Sequence, residues 1–355
     1  MLDAVFALDE PQYHTVRIGE VNRFRGAVLA LSGEPVRAIQ VVRDGAKVLD
    51  VPVDKPCPEF SFLSLPNAPT SRFEFELLIG DGAPLQIRSD DDVLFEFDPA
   101  EARRPGLREL EARVDALPVP PSGVVAVTQG GDNARSYRDS VVSSFVTSQI
   151  LLREAGIDPN ALRSVLDIGC GTGRLLIGWH LSDERRRTVG VDMNAELIAW
   201  NDANLRGIEW HQSPVLPPLQ FEPAQFDLLM LASVFTHLPL AWQRAWIVEF
   251  QRLLKPGGVV LLTLMGHPYV RTILDAQGRA LFERIGYMEN FGGPAGSNEY
   301  GTFHSEAFVR ELVRPLKVAA MFPSGTSPNR PLAWFPLAAW QDVYVLRKEE
   351  MIDAQ

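Results

Sequence analysis

The chain has 355 residues, 46% of them hydrophobic and 22% charged, which suits a soluble protein of two domains with sizeable cores. Its net charge of −11 argues against a sequence-independent nucleic-acid binder, and the short run "DERRRT" at 183–188 reads as a solvated loop or helix end. Two distant cysteines build neither a disulfide framework nor a zinc site, and no apolar run reaches the ~18–20 residues of a membrane span.

The N-terminal "MLDAVFALDEPQYH" has no basic region and carries acids in its apolar run, so it does not read as a signal peptide, and a cytoplasmic protein is expected. Residues 1–98 hold short β-branched or aromatic runs: "AVLALSG", "AIQVVRDGAKVLDVPV", "FSFLSL", "SRFEFELLIGDGAPLQIRS" and "VLFEFD". The Asp-Gly pairs in "RDGAK" and "IGDGAP" predict two hairpins. Close spacing without a long helical pattern predicts a small all-β accessory domain of immunoglobulin-like type. Residues 99–136 read as a linker. It holds one short helix, with Leu107, Leu110, Val114 and Leu117 at helical spacing, followed by the breaker "PVPPSG" and a mobile loop "TQGGDNARS".

Residues 137–355 alternate strictly between helix and strand. "SVVSSFVTSQILLREAG" is helical, "SVLDIG" a buried strand, "GRLLIGWHL" a helix and "TVGVDM" a strand. "AELIAWNDANL" is then a helix, "FDLLMLAS" a strand, "LAWQRAWIVEFQRLL" a helix and "GVVLLTLM" a strand. This α/β alternation predicts a doubly wound, mostly parallel sheet, whose ligand lies at the carboxyl ends of the strands. At one such end stands "VLDIGCGTGR", with Gly169, Gly171 and Gly173 where the chain turns into a helix. Bare backbone and a helix N-terminus suit a nucleotide-like ligand with an anionic group. A dinucleotide fingerprint asks for glycine where Arg174 stands, which speaks against a nicotinamide-dependent oxidoreductase. Asp192 ends the next strand at the spacing of an acid that accepts ribose hydroxyls; capping of the following helix is the plainer alternative.

Together "VLDIGCGTGR", "VGVDMN", "FDLLMLASVFTHL" and "LLKPGGVVLLTL" resemble, in order, the motifs of class I S-adenosylmethionine-dependent methyltransferases. The resemblance is strong over 137–263 and continues to "QDVYVLRK", which is similar to the last strand of that Rossmann-like, seven-stranded fold. It implies S-adenosylmethionine as cofactor. Asp167 and the loop of Gly169, Cys170, Gly171, Thr172 and Gly173 would hold its methionine part, and Asp192 the ribose. Met193 would pack on the adenine, Ala232 and Ser233 would line the floor, and Tyr137 lies in a segment that resembles the family's entry region, with a plain core tyrosine as the alternative. Many members carry an acid after the third strand; here Gln212 and Ser213 stand near that place.

Sulfonium chemistry needs the acceptor held in line, and a base only where a hydroxyl must lose its proton. His237, His267 and His304 follow successive strands and are the candidate bases; each could instead cap or position a loop. His14 and His180 read as structural, and His211 as strand or rim. Residues 289–305 read as a long loop, either a lid or acceptor-binding segment or plain disordered surface. The expected reaction is methyl transfer to a hydroxyl or amine of a small molecule or glycan. The glycan reading rests on residues 26–51, which look like the β-modules of polysaccharide-modifying enzymes. A catalytically silent scaffold of the same fold is the alternative. No metal, nucleic-acid or membrane partner is expected, and the N-terminal part could dock a protein or a glycan.

Overall fold

A computed structural model describes residues 4–10, 16–31, 33–58, 65, 67–80, 84–99, 106–123, 134–297, 299–323 and 341–349. Most of the run "FSFLSL", His14 and the segment 124–133 lie outside the described residues.

Among the described residues the N-terminal part has seven short strands: β1 (Ala4–Glu10), β2 (Val21–Ala30), β3 (Ala38–Arg43), β4 (Ala46–Pro52), β5 (Arg72–Leu78), β6 (Leu85–Ser89) and β7 (Asp92–Phe97). They make two antiparallel sheets, ordered β1-β2-β5 and β4-β3-β6-β7. Alternation in "RFEFELL" buries Phe73 and Phe75 and leaves the glutamates wet. Phe6 of the first sheet stacks on Phe95 of the second at 5.8 Å, so the two inner faces share one core. The "RDGAK" hairpin forms as predicted, with positive φ at Asp44 (53°) and Gly45 (74°), as a type I′ turn requires. The second predicted hairpin does not. β5 pairs with β2 and β6 with β3, so "IGDGAP" carries the chain from one sheet to the other.

Helix α1 (Leu107–Asp115) buries Leu107, Leu110 and Val114. Arg113 on its far side donates to the Leu181 carbonyl (2.5 Å) and pairs with Glu184. The larger sheet takes β8 (Ser164–Ile168), β9 (Arg187–Asp192), β10 (Glu209–Gln212), β11 (Phe226–Leu231), β12 (Leu254–Leu264), β15 (Lys317–Phe322) and β16 (Asp342–Arg347), in the order β10-β9-β8-β11-β12-β16-β15. Only β16 runs against its neighbours, so the sheet is mostly parallel and Rossmann-like as expected. The helices are α2 (Ala134–Glu154), α3 (Arg174–Ser182), α4 (Ala195–Asn204), α5 (Leu240–Leu253), α6 (His267–Ile273), α7 (Ala276–Ile285) and α8 (Glu306–Leu312). Every residue of β8 is buried, and strand order reverses between β8 and β11, the place where doubly wound sheets open a crevice.

At the amino edge of this sheet Asp227 works as a staple. Its carboxylate accepts from the backbone N–H groups of Arg163 (2.9 Å) and Ser164 (2.8 Å), the Ser164 hydroxyl (2.7 Å) and Lys255 (3.0 Å). The lysine of "LKPGG" thus ties β8, β11 and β12 together far from the carboxyl ends.

Residues 289–305, expected as a loop, are mostly a ribbon. β13 (Tyr287–Phe291) pairs with β14 (Tyr300–His304), and β14 runs beside the carboxyl end of β12 through a Met265–Phe303 bridge. With α6 and α7 this insert has a small core of its own, from Met265, Val270, Phe282 and Phe303. Among the described residues no helix is long and apolar enough to cross a membrane.

Candidate functional site

The glycine loop leaves β8 with φ of 72° at Gly169, 52° at Gly171 and 74° at Gly173, values that L side chains rarely adopt. Space is short as well: a Cβ on Gly173 would lie 2.5 Å from Trp210, and one on Gly169 2.6 Å from Val234. Gly173 is the N-cap of α3, so its positive φ turns strand into helix within a few residues. Cys170 is buried inside the loop, where burial and the nearby carboxylates raise its thiol pKa; it packs rather than reacts.

Asp192 closes this cradle from β9. One oxygen accepts from Gly171 N–H and the other from Asn194 N–H, both at 2.8 Å. The helix cap is Asn194, whose side chain accepts from Glu196 and Leu197 N–H, so the plainer alternative for Asp192 falls to its neighbour. Each carboxylate oxygen keeps acceptor capacity for a further donor. Asn201 anchors the loop from below, donating to the Gly171 carbonyl at 2.8 Å. Tyr137 on α2 is buried and donates to the Thr172 carbonyl at 2.9 Å, so it acts on the loop's backbone.

Asp167 lies at the end of β8 with no exposed surface and no hydrogen-bond partner on either oxygen among the described residues. Burial lifts its pKa from 3.8 to about 7; Arg174 works against that rise and Asp192 adds to it. Burial in turn lowers the Arg174 guanidinium to about 10, with Asp167 opposing. A buried carboxyl with empty lone pairs beside a bare backbone loop is a seat for a cation or a donor group. Thr172 Oγ is likewise buried and unpartnered among the described residues. These features fit S-adenosylmethionine, whose ammonium Asp167 would meet and whose ribose Asp192 would hold.

Met193 is 52% exposed at the rim, an apolar side chain left open where an aromatic ring would cover it. Gln212 donates to the Met193 carbonyl (3.2 Å), and Ser213 N–H to the Asp192 carbonyl (2.9 Å). Ala232 and Ser233, both partly buried, follow β11 on the other side of the crevice, and Ser233 has a left-handed φ of 60°.

The three candidate histidines separate. His237 sits in a turn at Phe235–His237, where its Nδ1 meets the Tyr300 carbonyl at 2.8 Å. A carbonyl only accepts, so Nδ1 carries the proton and Nε2 presents a lone pair. Burial holds its pKa below 6.5, against the pull of that hydrogen bond, so the ring is neutral near pH 7. His267 is half exposed at the start of α6, edge-on to Phe282 and 3.6 Å from Glu283 on the next helix. His304 is fully buried, its pKa pushed down to about 3, with Nε2 on Gln243 at 2.9 Å. Gln243 in turn donates to the carbonyls of Phe235 (3.1 Å) and Leu238 (2.8 Å). His304 therefore supports the turn that carries His237 and has no face for an acceptor.

Residues not singled out from sequence complete the wall. Thr263 accepts from Ser233 N–H (2.8 Å), and Gln341 bonds both Thr263 and Ser233. Glu289 takes the hydroxyls of Tyr287 (2.5 Å) and Tyr300, together with Leu240 N–H (3.2 Å). Burial would raise that carboxyl, but those donors bring it below the ordinary value. Among the described residues no group of three His, Cys, Asp or Glu side chains could hold a metal ion.

Residues 165–258 match the family model for a methyltransferase domain. The chain is 26% identical over 122 residues to "Probable methyltransferase ltbC" of Aspergillus luteorubrus, covering 31% of this chain and 43% of that protein. It is 30% identical over 124 residues to the ubiquinone biosynthesis O-methyltransferase of Acinetobacter baumannii, covering 32% and 50% respectively. It thus spans about half the length of these curated relatives. Among solved structures, a Burkholderia thailandensis 1,6-didemethyltoxoflavin-N1-methyltransferase superposes with a TM-score of 0.40 at 19% identity, over 66% of this chain and 93% of that one.

Proposed function

We propose that this chain, whose residues 165–258 match the family model for a methyltransferase domain, is a class I S-adenosylmethionine-dependent enzyme that methylates a hydroxyl group of a small molecule. One observation carries the reading. The buried Asp167, without a hydrogen-bond partner among the described residues, and the left-handed glycine loop meet Asp192 at the strand-order reversal. When bound, S-adenosylmethionine supplies a methyl group already activated on a sulfonium. The protein's work is then placement and proton removal. Asp167, Thr172 and Asp192 bind and orient the donor, and the Ser233 turn sets the opposite wall. With the donor bound, His237 Nε2 would take the acceptor's hydroxyl proton, and the donor's S–CH3 bond would break as the O–CH3 bond forms, leaving the sulfur as a neutral thioether. The neutral tautomer, fixed by the Tyr300 carbonyl, supports that role. The A. baumannii relative is named for O-methylation in ubiquinone biosynthesis, which agrees with an oxygen acceptor.

The N-terminal strand orders β1-β2-β5 and β4-β3-β6-β7 support an immunoglobulin-like sandwich, which we read as an accessory module for docking a protein or a glycan. Calorimetric titration with S-adenosylhomocysteine, with NADH as control, tests the cofactor. Micromolar binding of the adenosyl ligand alone is expected. Binding of neither ligand would favour a silent scaffold.

A further inference from the structure

Ser233 holds a left-handed backbone that a side-chain-bearing residue keeps only when its surroundings enforce it. Here a closed ring of hydrogen bonds does so. Ser233 N–H donates to Thr263 Oγ (2.8 Å), the Thr263 hydroxyl donates to Gln341 Oε1 (2.6 Å), and Gln341 Nε2 donates to Ser233 Oγ (3.0 Å). Thr236 braces the same residue by donating to the Ser233 carbonyl at 2.8 Å. The ring joins the carboxyl ends of β11 and β12 to the residue just before β16, which reaches this edge only because β16 runs antiparallel. Gln341 is also hydrogen-bonded to the hydroxyl of Tyr269, on α6 of the insert. One buried amide therefore touches three strands and the insert.

We propose that Gln341 is the positioning residue of this site, holding Ser233 in its left-handed conformation beside the donor and linking that wall, through Tyr269, to the insert of α6, α7 and the β13-β14 ribbon. The proposal rests on the methyltransferase reading above. Its consequence is that donor binding and the seating of the insert are coupled. A ligand pressing on Ser233 tightens the ring, and the ring draws on Tyr269. A complete ring is worth more than its separate bonds, because each buried donor left over is costly.

The test uses the full chain and S-adenosylhomocysteine as probe, read by calorimetry and by amide hydrogen exchange over residues 267–285. Gln341→Met keeps the bulk and removes the amide; its dissociation constant is expected to rise about tenfold. Tyr269→Phe is expected to keep the affinity within about twofold and to lose the ligand-induced protection of 267–285 that the unsubstituted chain gains. Asp227→Asn, at the opposite edge of the sheet, is the stability control and is expected to leave both readouts unchanged. Unchanged affinity in Gln341→Met, or unchanged protection in Tyr269→Phe, overturns the proposal. Should Gln341→Met not fold, the exchange experiment on Tyr269→Phe decides alone. Failure of the unsubstituted chain to bind the probe overturns the methyltransferase reading instead.

Discussion

Raising the pH through neutrality is expected to tighten adenosyl-ligand binding, and Asp167 is the reason. Its buried carboxyl is protonated in the free protein up to about pH 7. A ligand ammonium placed beside it favours the ionised form, so binding below pH 7 must release that proton. Affinity then climbs by up to tenfold per pH unit between about pH 5.5 and 7, or about 1.4 kcal/mol per unit, and levels off above. Calorimetry of S-adenosylhomocysteine at several pH values, in two buffers of different ionisation enthalpy, measures both the slope and the proton released. Asp167→Asn should flatten the curve. The same carboxyl affects folding with a definite sign. Its folded pKa is raised, so the folded state binds the proton more tightly, and the stability contributed by this group falls as pH rises from 3.8 to about 7. The whole displacement is worth about 4 kcal/mol. Asp167→Asn should therefore stabilise the free protein at pH 8 and much less at pH 5. A pH-independent affinity of the unsubstituted chain between 5.5 and 7 would refute this reasoning.

Asp192→Ala should weaken adenosyl-ligand binding by about 1–3 kcal/mol in calorimetry, since it removes a charged acceptor and frees the Gly171 N–H that it holds. Gly173→Ala forces a side chain into φ of 74° and against Trp210. Denaturant titration should show a loss of at least about 1–3 kcal/mol. His237→Ala should lower kcat on a hydroxyl acceptor by about 10²–10⁴, with S-adenosylhomocysteine affinity unchanged. Because burial holds His237 below 6.5, the acid limb of the native rate profile should turn below that pH. Asp227→Asn should cost about 1–3 kcal/mol of stability. Donors hold the Asp227 carboxyl below 3.8 against the opposing effect of burial, so its contribution is present at neutral pH and fades as pH falls through the folded value.

The parallel sheet was legible because buried strands and amphipathic helices alternate with short connections, and each period is local. The glycine loop and Asp192 could be read for the same reason: spacing along one β-α-β unit places them. The chemistry around Ser233 could not, because Thr263 and Gln341 are 78 residues apart and meet only through an antiparallel strand. His304 looked like a loop base in sequence; its burial depends on Tyr287 and Phe308 packing around it. The ribbon at 287–304 was hidden by the Gly- and Ser-rich stretch between its strands. "IGDGAP" misled in the opposite way, since an Asp-Gly turn signal does not say which sheet receives the next strand.

The place of β16 bears on how the protein assembles during synthesis. It follows every other strand of its sheet in chain order, yet it lies inside the sheet, between β12 and β15. Among the described residues β15 pairs in that sheet with β16 alone, so it docks there only after β16 has left the ribosome. The N-terminal sheets are complete by residue 97 and can close long before then. Residues 165–264 must meanwhile wait with one edge of β12 open, a hazard for wrong strand pairing. The same late strand brings in Gln341, so the hydrogen-bond ring around Ser233 closes only when the sheet does. A nascent chain stalled before residue 341 would carry the glycine loop and Asp192 without the ring that fixes Ser233.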